Sequence, residues 1–271
     1  MANIFPKWTN WVPLQLAICG GLLVFGAVVA VAYYFTPKYT RVGYEPTQPV
    51  PFRHDLHVGQ LGLDCRYCHS FVEESNHANV PTNQTCVNCH GVGLGNVLAD
   101  STKLKPVHEA RETGKPIEWR RVHELPDYAY FDHSAHVNRG VSCVSCHGKI
   151  NEMEVVRHDK PLSMGWCLDC HRSPEDALRP LDEVFNLDWK PEEVSRDQFY
   201  TDLLGEGADA GKLYEQITGE KAEDGKVPST EDLVKAAADK FGESVTQKEI
   251  GIQLKHHWQI SPPESCAACH R

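Results

Sequence analysis

Cys65-Arg66-Tyr67-Cys68-His69 is the first of five copies of one pattern, Cys-x-x-Cys-His. The others read Cys86-Val87-Asn88-Cys89-His90, Cys143-Val144-Ser145-Cys146-His147, Cys167-Leu168-Asp169-Cys170-His171 and Cys266-Ala267-Ala268-Cys269-His270. Two cysteines one helical turn apart project to the same side, where both can form thioethers with the vinyl groups of one haem. The histidine that follows stands on that side too and reaches the iron as the proximal ligand. Paired Cys-x-x-Cys units also build zinc ribbons. A zinc site does not need histidine directly after every second cysteine, and here it follows in all five copies. The pattern therefore predicts five covalently bound c-type haems, with His69, His90, His147, His171 and His270 as proximal ligands.

The motifs take ten of the eleven cysteines and leave only Cys19, so no disulfide framework can form. Covalent haem attachment belongs to the oxidising side of the bacterial inner membrane, which places residues after about 40 in the periplasm. A length of 271 residues allows one or two domains plus extras. The net charge is -10, and no nucleic-acid partner is expected. Residues 173–251 hold 20 acidic and 9 basic side chains, while the rest of the chain is nearly neutral. This stretch reads either as a solvated acidic region or as a docking face for a basic partner such as a soluble cytochrome c.

Residues 8–37 carry no charge, and Lys7 and Lys38 border them. The apolar centre, residues 14–34, is 21 residues long. At 1.5 Å per residue it spans a hydrocarbon core of about 30 Å. Trp8 and Trp11 lie at one end, and Tyr33, Tyr34 and Phe35 at the other, as in the aromatic belts of a membrane helix. A cleaved signal peptide is the rival, with Ala30-Val31-Ala32 resembling a cleavage site. The apolar run exceeds a usual signal core, so a retained anchor is expected, N-terminus inside. Cys19 does not fit a lipidation site, because Ile18 precedes it and the apolar run follows it. Ala17 with Gly21, and Gly26 with Ala30, are small-xxx-small pairs that favour a packed partner helix. Pro46, Pro49 and Pro51 mark a short extended linker, which would keep the first haem near the membrane.

An internal repeat follows. Phe52-x-His54-x-x-His57 precedes the first two motifs, and Phe131-x-His133-x-x-His136 precedes the third and fourth. Two tandem dihaem modules are the simplest description. A second histidine in the sixth position makes a haem suited to electron transfer, with no place for a substrate. Beyond the five proximal residues the chain has ten more histidines, which is enough. The Phe-x-His-x-x-His element resembles that of class III multihaem cytochromes c. That resemblance implies His54 as distal ligand for the haem at His69 and His133 for the haem at His147. It also implies that His57 and His136 reach across to other haems. The fifth distal ligand is taken as His123, with Met153 and Met164 as alternatives that would raise a potential, or that merely fill gaps against a porphyrin. His77, His108, His158, His256 and His257 read as exposed or propionate-pairing.

Four motifs in residues 38–175 leave about 35 residues per haem, so porphyrins must form most of the apolar core there. The expected fold is mainly α and irregular: one transmembrane helix, a haem-packed multihaem cytochrome c domain and an acidic helical C-terminal region. The corresponding segments are 1–10, 11–36, 37–175 and 176–271. In the last of these, helices are expected from Pro191 to Gly205, over 212–217, 231–241 and 247–257, with Ser229-x-x-Asp232 as a capping box lacking the usual Glu. The fifth motif closes the chain and should lie at the periphery.

Ile117-Glu118-Trp119, His123-Glu124-Leu125-Pro126-Asp127, Phe131-Asp132-His133, Met153-Glu154-Val155, Met164-Gly165-Trp166-Cys167 and the C-terminal Cys266-Ala267-Ala268-Cys269-His270-Arg271 resemble the membrane-anchored pentahaem subunits of bacterial alternative complex III. The likeness covers about residues 38–180 and is poor in the acidic region. It implies an electron-transfer subunit, not itself an enzyme, of a quinol-oxidising membrane complex. It further implies integral-membrane quinol-oxidising partners and an iron–sulfur and molybdopterin-enzyme-like subunit, with a soluble cytochrome c or terminal oxidase as acceptor. Two other readings stand beside it. One is a self-contained, membrane-anchored quinol dehydrogenase, favoured by the short linker. The other is a multihaem reductase with an open haem, disfavoured because no motif replaces its histidine.

Overall fold

A computed structural model describes residues 5–35, 40–222 and 227–270. Pro37, Lys38 and Arg271, which enter the sequence reading, lie outside the described residues. Among the described residues the chain is helical and irregular, with no strand beyond the isolated bridges Ala129–His270 and Val141–Leu178.

Helix α1, Val12–Phe35, is 24 residues long. Pro13 sits in its first turn, where the missing N–H is not needed. None of its apolar span is buried in the chain. A helix apolar on all sides and packed on nothing suits lipid rather than a protein core. It is the one described helix long and apolar enough to cross a membrane.

The middle of the chain is built from short helices: α2 (Cys65–Cys68), α3 (Asn83–His90), α4 (Lys105–Thr113), α5 (His133–Val137), α6 (Cys143–His147) and α7 (Met164–Arg172). Loops join them, and their side-chain cores are small. Val50, Val87 and Val107 form one, and Val72, Val137 and Val184 form another. Even with Leu104, Ile117, Trp119 and Phe185 packed against them, these clusters are small for a segment of this length, which suits a fold organised around a further apolar body. The linker does not lead straight to the first motif. The backbone of Gly43 and Tyr44 bonds that of His158, and Val50 joins a buried cluster with Val87 of α3 and Val107 of α4.

The C-terminal part has a conventional core. Helices α8 (Arg196–Gly205), α9 (Ala210–Thr218), α10 (Thr230–Phe241) and α11 (Gln247–His257) bury Tyr200, Leu203, Ile217, Leu233, Ile250 and Leu254 together with Leu178. Helix α12, Cys266–Cys269, carries the last motif. The expected helix starting at Pro191 is instead a short 3-10 turn, Pro191–Glu193. Val194 is extended, and α8 begins after Ser195, whose side chain accepts the Gln198 N–H. The competing cap moves the helix start. The capping box at Ser229 forms both its bonds, with Asp232 in place of Glu. A buried ion pair locks α8 to α11: Arg196 donates to both carboxylate oxygens of Glu249, at 2.7 and 2.8 Å, and also to the carbonyls of Gly242, Glu243 and Ser244.

Candidate haem-binding site

All five motifs lie on helical turns, on α2, α3, α6, α7 and α12. Each turn sets the two cysteines of a motif side by side, as double attachment requires. None of the ten motif cysteines is in a disulfide. Burial pushes the Cys143 thiol up to about 11 and Cys146 to about 12. Among the described residues, no group of three or more His, Cys, Asp or Glu converges on one point, as a zinc site would require.

The chain aims the imidazoles through one ring nitrogen. Nδ1 lies 2.6 Å from the carbonyl of Asn79 in His69, of Val97 in His90 and of Pro263 in His171. In His270 it lies 3.2 Å from the carbonyl of Tyr128. A carbonyl only accepts, so each Nδ1 carries the proton and Nε2 keeps its lone pair for a metal. The two Phe-x-His-x-x-His copies are near replicas. Phe52 stacks on His57 at 4.3 Å and meets His54 edge-on at 4.8 Å. Phe131 stacks on His136 at 4.6 Å and meets His133 edge-on at 4.8 Å. In both copies the last histidine bonds the carbonyl four residues back, Arg53 at 2.7 Å and Asp132 at 2.6 Å. The spacing is thus about one turn of helix plus an aromatic wedge that fixes two rings at once.

These rings face the motif histidines. Ring centres are 6.3 Å apart for His57 and His90, 6.4 Å for His133 and His147, and 6.2 Å for His136 and His171. A metal–nitrogen bond of about 2.0–2.1 Å on either side would set two imidazole centres about 6 Å apart. His54 lies within electrostatic range of His69, and its Nδ1 is buried without a partner. Burial and nearby imidazoles hold His54 down to about 4 and His147 to about 3, and burial lowers His136. These rings are therefore neutral, the form that binds metal. The small valine-centred cores, the paired motif cysteines and the facing imidazoles all fit haem.

The remaining candidates are placed otherwise. His123, expected as the fifth distal ligand, presents Nε2 to Nδ1 of His147 at 3.3 Å, behind that ring rather than across from it. Its own acidity is held at about 4, mainly by burial. No histidine ring among the described residues faces His270 as in the three pairs; its ring neighbour is Tyr128, at 5.7 Å. Met153 is buried, its carbonyl accepting from the N–H of Asp55, and Met164 is exposed at the start of α7. His77 and His256 are exposed. His108 spends Nε2 on the carbonyl of Ala99, and His257 pairs with Glu206. His158, expected to be exposed or propionate-pairing, is 2% exposed, with both ring nitrogens enclosed and unpartnered, and its ring lies 5.2 Å from that of His123. Sequence reasoning missed this, and also the carbonyl partners at Asn79, Val97 and Pro263. No motif marks a carbonyl acceptor.

Residues 129–188 match the family model for cytochrome c7 and related cytochromes c. They contain the second Phe-x-His-x-x-His copy and the third and fourth motifs. The chain is similar to a protein of Nitratidesulfovibrio vulgaris described as "Menaquinone reductase, multiheme cytochrome c subunit", at 33% identity over 131 residues. That alignment covers 48% of this chain, which spans 60% of the length of the curated relative. Together with the geometry, these matches identify a multihaem cytochrome c domain of the electron-transport kind, carrying c-type haems.

Proposed function

We propose that this chain is the membrane-anchored, periplasmic electron-transfer subunit of a quinone-linked respiratory complex, with five covalent haems and no reaction of its own. Residues 11–36 cross the membrane, 37–175 hold two tandem dihaem modules, and 176–271 form an acidic helical region that ends in the fifth motif. The axial pairs are His54 with His69, His57 with His90, His133 with His147, and His136 with His171. When bound between two histidines, a haem supplies a one-electron couple with both axial positions taken. The protein's part is to fix ring tautomers through carbonyls and to exclude substrate from the metal.

The observation that carries this reading is the set of three facing imidazole pairs with ring centres 6.2 to 6.4 Å apart. The partners we infer are integral-membrane subunits with the quinone site, an iron–sulfur and molybdopterin-like subunit, and a soluble cytochrome c or terminal oxidase. The printed name of the N. vulgaris relative makes menaquinone the acceptor, whereas the alternative complex III resemblance makes quinol the donor. The same relay serves either direction, and the direction belongs to the partners.

A second reading, a self-contained quinol dehydrogenase, is favoured by the packing of linker Val50 on α3, which brings the second motif beside the linker. Stopped-flow mixing of the purified full chain with a reduced menaquinone analogue separates the two. We expect no haem reduction by the analogue and ready reduction by a small soluble reductant. Rapid reduction by the analogue would overturn the conduit reading in favour of the second.

A further inference from the structure

The motifs are not arranged in space as they are in sequence. The first and second touch: the Asn88 amide of α3 donates to the Tyr67 hydroxyl of α2 at 3.5 Å. The turn bearing His54 and His57 serves both, since one of its rings approaches His69 and the other faces His90. The first and third touch as well. His133, which faces His147, has Nδ1 2.7 Å from the carbonyl of Asn76, just past the first motif. The amide of Asn138 donates to the carbonyl of Glu73 at 2.8 Å. The short helix α5 joins the third motif to the fourth, because His133 faces His147 and His136 faces His171. The fourth meets the fifth where His171 takes the carbonyl of Pro263 and Arg172 pairs with Glu264, both just before Cys266.

The thiols repeat the same neighbours. Cys68 lies in electrostatic range of Cys86 and Cys89, Cys143 of Cys65, Cys146 of Cys167 and Cys170, and Cys167 of Cys269. Among the described residues, no hydrogen bond or ion pair joins the second motif to the third, fourth or fifth. At the second motif, Val87 shares a buried cluster with linker Val50 and with Val107, and Cys86 packs against it.

We propose that the five attachment motifs stand in one unbranched row, in the order second, first, third, fourth, fifth. The two ports of the relay are then the second motif, beside the anchor linker, and the fifth, at the far end. This rests on the electron-transfer reading above. Its consequence is that the first motif is an interior link, although it comes first in the chain, and the second is a terminus.

The test compares two full-length variants, Cys65→Ala/Cys68→Ala and Cys86→Ala/Cys89→Ala. Each is checked for four remaining haems and read by low-temperature electron paramagnetic resonance in the oxidised state. Removing the first haem should strand the second, giving an uncoupled low-spin signal from a single iron per chain. Removing the second should leave the other four coupled, with no such signal. The reverse pattern, an isolated signal in both variants, or one in neither, would overturn the order. If the Cys65→Ala/Cys68→Ala protein loses further haems, His54→Met replaces it. That variant keeps both thioethers and raises the potential of the first haem. Adding one electron then makes that iron diamagnetic, and the same isolated signal must emerge or the order fails. Wild-type protein without covalent low-spin haem would instead sink the electron-transfer reading, so the two failures are distinguishable.

Discussion

At the scale of single residues, the histidines divide by what their Nδ1 touches. Most of those proposed to hold iron use a backbone carbonyl, whereas His147 uses the imidazole of His123 at 3.3 Å. A hydrogen-bonded N–H makes the imidazole a stronger donor to iron, which stabilises the oxidised state and lowers the potential. Replacing His123 with Ala removes that acceptor. One haem potential should rise by on the order of 60 mV, a tenfold shift for a one-electron couple. His123→Asn restores an acceptor oxygen and should recover most of the shift. Potentiometric titration of both variants checks this, and unchanged potentials in His123→Ala would reduce His123 to packing. The five motif histidines stand out because each follows its two cysteines at the same local spacing. The Phe-x-His-x-x-His copies were legible for the same reason, since the phenylalanine wedges both rings within one turn. His123 and His158 were not. Their neighbours come from distant segments, and a histidine packed behind another ring has the same one-letter code as one that faces it.

At the scale of elements, helix α11 was legible to the residue, and α9 and α10 to within two residues, because caps and apolar spacing agree there. The start of α8 was not, because Ser195 competes with Pro191 and only tertiary packing chooses between them. That packing is anchored by Arg196 and Glu249, whose side chains are 8% and 0% exposed. Replacing Glu249 with Gln leaves the buried guanidinium without its charge partner, which costs about 3–5 kcal/mol where such a pair is broken. The variant should show faster amide hydrogen exchange across α8 and α11, with unchanged exchange at the motif helices α6 and α7. A second change probes the same region from the other side. Gly251 lies on the face of α11 that meets Glu175, and a Cβ there would sit inside the van der Waals shell of the Glu175 carbonyl. Gly251→Ala must push α11 off the segment that follows the fourth motif, an overpacking cost of about 1–3 kcal/mol. A fall in the melting temperature of the full chain, with haem content retained, is the expected result. A wild-type melting curve would mean that the approach is looser than described.

At the scale of the whole molecule, the apolar helix and the motif-rich, irregular middle were legible from composition and spacing, because each follows from counting residues along the chain. The spatial neighbours of the motifs were not, because they depend on loops that fold one Phe-x-His-x-x-His copy against the other. Charge is the remaining large-scale feature. The excess negative charge lies in residues 173–251, between the fourth motif and the fifth. Helices α8, α9, α10 and α11 bury their apolar faces in one core and leave most of these carboxylates outside. If the fifth motif is a port of the row, a soluble partner approaching it meets this acidic surface on the way. A basic cytochrome should then be steered in, and its bimolecular electron-transfer rate should fall steeply with salt. Between low and physiological ionic strength, where the screening length shrinks to about 8 Å, we expect at least a roughly tenfold loss. An uncharged small acceptor should show none. Replacing several acidic residues of α10 and its neighbours with amides should flatten the salt dependence without altering the haem potentials. A salt-insensitive rate with the basic cytochrome would leave the acidic stretch as a solvated surface and move the search for the soluble partner's site to the bare edge of α12.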